Sequence, residues 1–138
     1  MERETGNYGG YVEDPIRSVS RIIDGLQSIR RGETRLIEHS LMDLARIEAY
    51  TEIAGLPDAA SLCRRVGILL QLAKSQARYS RSSLSSFEML SVLEALDTIV
   101  QEIDTRTLCP TTSSRHESAI ENLRTCTLLR HMSVEQSV

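Results

Sequence analysis

Between Thr34 and Asp104 the chain carries three segments striped with apolar residues, and one sharp break, Ala54-Gly55-Leu56-Pro57, separates the first from the second. Apolar residues at steps of three and four bury one side of a helix, whereas a strand would need alternation. The rest of the chain must supply what those stripes pack against. With 138 residues, 41% apolar and 25% charged, it has enough apolar material for one domain of ordinary size. Aromatic residues make up only 4%, with no Trp and Phe87 as the single Phe, so the core is aliphatic. An aliphatic core suits helix packed on helix. The fold expected is all-α, an antiparallel four-helix bundle with a weaker fifth helix at the C-terminus.

Residues 1–13 hold Gly6, Gly9 and Gly10 around Tyr8 and Tyr11, and are expected to form a flexible leader. A single domain over 14–132 follows, then a frayed tail over 133–138. Asp14 before Pro15 is a cap residue followed by proline at the first helical position. Ile16, Val19, Ile22, Ile23, Leu26 and Ile29 form the first stripe, and Gly32 marks its stop. Thr34 opens a second helix striped by Ile37, Leu41, Leu44, Ile47, Tyr50 and Ile53. Gly55 can take the left-handed conformation that ends it. Pro57 and Asp58 start a third, with Leu62, Cys63, Val66, Leu69, Leu70, Ala73 and Ala77 inward. Gly67 within it signals close packing against a neighbour. After a Ser/Arg loop at 79–85, Ser85 and Glu88 make a capping box. Phe87, Leu90, Leu93, Leu96, Ile99, Val100 and Ile103 write the fourth stripe. Residues 105–113 read as a connection, and Ser114 with Glu117 suggests a second capping box. The fifth helix it opens runs through Ile120, Leu123 and Leu129.

Charge and motifs exclude more than they suggest. A net charge of −3 argues against a nucleic-acid binder that relies on bulk charge. No apolar run approaches membrane-span length, and Met1-Glu2-Arg3-Glu4 lacks the apolar stretch of a signal peptide, so a cytoplasmic protein is expected. Cys63, Cys109 and Cys126 have neither disulfide-framework nor zinc spacing. His39, His116 and His131 form no metal pair, and no phosphate loop or nucleophile elbow occurs. No enzyme, metal or cofactor is expected. Arg64, Arg65, Lys74, Arg78 and Arg81 make the third helix and its loop basic, with Arg65 facing away from the others, while Glu38, Asp43, Glu48 and Glu52 make the second acidic. Solvation is the plain reading of both, and an acidic partner surface is the sharper reading of the basic set.

Ala54-Gly55-Leu56-Pro57-Asp58-Ala59-Ala60-Ser61-Leu62-Cys63 resembles the turn and third-helix start of a histidine phosphotransfer (HPt) domain, of the kind that begins chemotaxis histidine kinases. Ser85 to Asp104, with Leu93-Glu94-Ala95-Leu96-Asp97, is similar to that family's fourth helix. The resemblance covers about half the chain and rests on amphipathic patterns. The family's His-x-x-Lys-Gly motif lies on the second helix, and counting back from Gly55 places Ala45, Glu48 and Ala49 at those positions. Alanine offers no nucleophile. The resemblance therefore implies a module dead at the usual site. His39 lies six residues earlier, about 9 Å along the axis and about 240° around it.

Three functions stay open at this point. The favoured one is a non-catalytic protein-binding module, an adaptor or inhibitor in two-component signalling. It would offer Ala45, Glu48, Ala49 and Glu52 to a histidine kinase or response regulator. The second is an active phosphorelay protein using His39. The third is a helical regulator or chaperone unrelated to phosphorelay. Leu84, Leu108, Leu128 and Leu129 leave a homodimer open as well, since exposed apolar patches mark partner sites.

Overall fold

The computed structural model describes residues 14–30, 35–76, 84–105 and 110–137, with side chains over those stretches except 105–114 and 133–137. Five helices follow in order: α1 (Pro15–Arg30), α2 (Arg35–Ile53), α3 (Pro57–Ser75), α4 (Ser86–Thr105) and α5 (Pro110–Ser137). No strand occurs among the described residues. None of the described helices is long and apolar enough to cross a membrane.

The helix ends follow from local chemistry. The Asp14 carboxylate accepts from the Ile16 amide at 3.0 Å, satisfying one orphan donor of α1. At the end of α2, Gly55 takes φ 76°. Its amide donates to the Glu52 carbonyl at 3.2 Å, and the Leu56 amide to Thr51 at 2.8 Å. That pair of bonds is a Schellman cap, and Pro57 can then start α3 because a first-turn N–H has no partner to lose. At α4 the capping box forms as expected: Ser85 N donates to Glu88 Oε1 at 2.9 Å and Glu88 N to Ser85 Oγ at 3.1 Å. The expected cap at Ser114 does not open α5, which begins four residues earlier at Pro110 and continues to Ser137. Proline at N1 again explains the start. Thr34, Gly32, Ala77, Arg78, Arg81 and Leu108 lie outside the described residues.

Packing joins α1 to α2 and α4, α2 to α3, and α3 to α4, while α5 lies against α3 and α4. The result is a helical bundle. Ile22, Leu26, Ile37, Ile47, Leu69, Leu96 and Leu123 are wholly buried at its centre. Each such side chain contributes about 1.5–3 kcal/mol by leaving water. Four residues read as inward are instead exposed: Ile23, Ile53, Phe87 and Leu90. In α4 the reason is geometric. A strict step of three recedes by about 60° each time, so a series anchored at buried Leu96 reaches half-buried Leu93 and then solvent. The core takes Leu96, Ile99 and Ile103 of the expected stripe, and adds Met89, Val92 and Ala95, which the stripe omitted. Leu129 is likewise exposed, and Leu84, placed on a loop by the sequence reading, is buried.

Two polar clusters pin the helices. Asp43, expected to be solvated, is buried, and its carboxylate accepts from Arg21 of α1 at 2.8 Å and from Arg46 at 2.9 Å. At the other side of the bundle Glu88 meets Arg130 of α5 at 2.6 Å, with both side chains about nine-tenths buried.

Gly67 does not mark a backbone approach. A Cβ placed there would meet only Leu41 Cδ2, at 3.9 Å. Gly67→Ala is therefore expected to stabilise the protein by about 0.5–1 kcal/mol through helix propensity, measured by urea unfolding. A loss of stability would mean that the space over Gly67 is filled.

Candidate functional site

On α2, Glu38, Leu41, Ala45, Glu48 and Glu52 follow one another at steps of three and four and so share a face. That face looks across at α3. Lys74 pairs with Glu38 at one end. At the other end Arg64 Nη1 donates to Glu48 at 2.9 Å and to Glu52 at 3.0 Å. Between the two ion pairs lies an open groove of about 530 Å³. Leu41, Leu44, Ala45, Gly67, Ile68 and Leu72 give it apolar walls, with Gln71 and the Glu48–Arg64 pair as its polar parts. It is open because Ala45 and Gly67 are too small to fill the seam.

The acidic and basic faces read separately from the sequence thus neutralise each other. The hydrogen bond and charge of Lys74 hold the Glu38 carboxyl below its usual range. Glu48 chiefly holds Arg64 above its own. Arg64 and Lys74 are consequently not a free basic surface for an acidic partner. Glu48 likewise is not a bare carboxylate facing an incoming group.

Of the four residues proposed from sequence, Ala45 and Glu48 line the groove. Glu52 contributes through its bond to Arg64, and Ala49 is exposed on α2 outside the groove lining. The α3 wall, Gly67, Ile68, Gln71 and Leu72, was missed. Its signal was present in an interior glycine followed by Ile68, which steps off the α3 stripe and is 46% exposed.

Nucleophiles are not supplied to this groove. Cys63 sits at its floor, but burial, followed by the charge of Glu48, pushes its thiol up to about 12. A thiol held neutral in this way is inert. His39 is exposed, one turn before Asp43 on the side of α2 that meets α1, and is not among the groove residues. No group of three or more His, Cys, Asp or Glu side chains suited to a metal ion occurs among the described residues.

One other titratable group stands out. Glu102 of α4 is buried, and burial pushes its carboxyl up to about 7, assisted by Asp58 and opposed by a hydrogen bond from the Ala59 amide at the start of α3. Its Oε2 is buried without a hydrogen-bond partner. It lines neither the α2–α3 groove nor the smaller polar pocket between α4 and α5. Its raised pKa bears on stability, because the folded and unfolded chains then bind protons differently. Comparison of the chain with protein-family models, with curated proteins and with solved structures finds no match.

Proposed function

We propose that this chain is a non-catalytic protein-binding module of HPt-like shape, which docks the receiver domain of a response regulator in the α2–α3 groove. The supporting architecture is an antiparallel four-helix bundle, α1 to α4, with α5 laid over the seam of α3 and α4. Paired residues run in opposite senses along neighbouring helices: Glu38 with Lys74 and Glu48 with Arg64 on α2 and α3, Asp97 with Arg115 and Glu88 with Arg130 on α4 and α5. Arg30, at the end of α1, reaches Ser86 at the start of α4.

The observation that carries the reading is the groove itself. Its α2 wall centres on Ala45, where the resemblance would place the acceptor histidine, and its apolar surface suits a partner helix rather than a phosphoryl group. Such a module works in the cytoplasm, where it competes with active phosphotransfer partners for the same receiver.

The test is a titration of the purified chain against the receiver domains of its own host, with phosphotransfer followed in parallel. Binding to at least one receiver is expected, with no label transferred. Ala45→Arg should weaken that binding at least about tenfold by filling the groove with a charge, while His39→Ala should leave it unchanged. Label that appears on the chain and vanishes in His39→Ala would replace this reading with active phosphorelay. Binding to no receiver would remove the two-component assignment and leave the bundle.

A further inference from the structure

A second surface, on the opposite side of α3, supports an inference independent of the groove. On α4, Phe87, Leu90, Glu94, Asp97 and Gln101 share one face; on α5, Arg115, Ser118, Asn122, Leu129 and Met132 share another. Arg115 bonds Asp97 at 2.8 Å and also reaches Gln101, so these two faces border the same seam. Glu94, Thr98, Ser118 and Asn122 line a polar pocket between them. Arg130 and Glu88 close the seam at its far end. That register sets Leu129 beside Phe87 and Leu90, with Met132 one turn further on. All four are exposed, at 44% for Phe87, 55% for Leu90, 53% for Leu129 and 44% for Met132, and Leu128 next to them is 59% exposed.

We propose that this α4–α5 patch is the interface of a homodimer, formed by a second copy across a two-fold axis. Charge argues for that occupant. Along the patch α4 has no ionisable group on its outer face between Phe87 and Glu94, and Glu88 and Arg130 satisfy each other beneath it. The charges that border it, Arg30 on Ser86, His131 on α5 and Glu94 on α4, lie at its rim and carry both signs, so no single sign selects a foreign partner. In a two-fold contact each residue near the axis faces its own mate, where a charge would repel itself, so an uncharged centre is what such a contact requires.

Area argues in the same direction. Four large side chains at about half exposure present on the order of 400 Å², the size of patch that is functional on a monomer. Two copies would bury about 800 Å² of it, and at the usual apolar share the whole interface would reach about 1,200–1,400 Å². That lies at the low end of specific interfaces. The dimer therefore forms and dissociates with concentration, and the polar rim is supplied by Glu94 and Asn122.

Sedimentation velocity on the full chain, from about 1 to about 200 µM, reads this directly through mass action. The apparent mass is expected to approach twice the monomer value at the upper end. Leu90→Glu and Leu129→Glu should each hold the chain at monomer mass over the whole range with unchanged helical circular dichroism, since both sites are solvent-exposed. Should either glutamate variant lose its fold, Leu90→Ser provides the same reading. Met42→Glu, on the exposed surface of α2, should leave dimerisation as in the parent. A monomer at every concentration overturns the proposal. So does a dimer that survives the α4 and α5 variants, or one broken only by Met42→Glu, which would place the contact on α2.

Discussion

Replacing Arg130 by methionine is expected to destabilise the fold by about 3–5 kcal/mol, because it leaves a carboxylate buried with its charge uncompensated. Glu88 is 7% exposed. Its Oε2 accepts from Arg130 Nε at 2.6 Å, and its Oε1 accepts from Arg130 Nη2 at 2.9 Å and from the Ser85 amide at 2.9 Å. Arg130 Nη1 also donates to Gln76 Oε1 at 2.9 Å, and Gln76 Nε2 returns a bond to the Arg130 carbonyl at 3.3 Å. One guanidinium thus joins the end of α3, the start of α4 and the body of α5. Methionine keeps the apolar stem and removes every donor, so Glu88 retains only the cap bond and Gln76 is left with an unmatched acceptor.

Urea unfolding followed by circular dichroism measures the effect, with the slope expected to stay constant while the midpoint falls. The melting temperature should drop by about 10–20 °C for a chain of this size. Glu88→Gln combined with Arg130→Met should cost less than the sum of the two single changes, since the double variant contains no orphan charge. A single-variant loss below about 1 kcal/mol would mean that water enters and solvates Glu88, in which case the cluster contributes as little as a surface pair.

That cluster also marks the boundary of what the sequence discloses. The capping box was legible because Ser85 and Glu88 are three residues apart and the pattern is local. The role of Glu88 against Arg130 was not, because 42 residues separate them and nothing in either neighbourhood names the other. The same holds for Asp43. Its position at the edge of an apolar stripe suggested solvent, yet Arg21, 22 residues earlier, reaches over and buries it. Local signals placed α1, the Gly55 turn and the start of α3. They failed for α5, where residues 105–113 read as a connection although Pro110 stands at the first helical position and begins the helix. For the candidate site, Ala45 and Glu48 came from a counted resemblance, while the α3 wall came only from the fold. A groove belongs to two helices, and a stripe describes one.

Glu102 yields the second large effect, visible as pH dependence. Burial first, and then the nearby Asp58, push its carboxyl from an ordinary 4.5 up to about 7, and the Ala59 amide offsets part of this by donating to the charged form. In the unfolded chain the carboxyl loses its proton near 4.5, while the folded protein keeps it to about 7. Over that window the native state binds more protons than the unfolded one. Stability therefore falls as pH rises, and the loss is complete above about 7. The whole shift corresponds to about 3 kcal/mol. Solvent screening near the exposed Asp58 reduces it, so about 1–2 kcal/mol is expected. Glu102→Gln has the same shape and cannot ionise. Between pH 4 and pH 8 it should lose less stability than the parent, match it near pH 4, and exceed it by that 1–2 kcal/mol at pH 8, all read from urea midpoints. Asp58→Asn should recover a smaller part, because it removes the second cause and leaves the burial. Parallel curves for parent and Glu102→Gln would mean that Glu102 is ionised in the folded protein at neutral pH. The bare Oε2 would then have to be reached by water, against the positive end of α3 where the Ala59 amide already holds its companion oxygen.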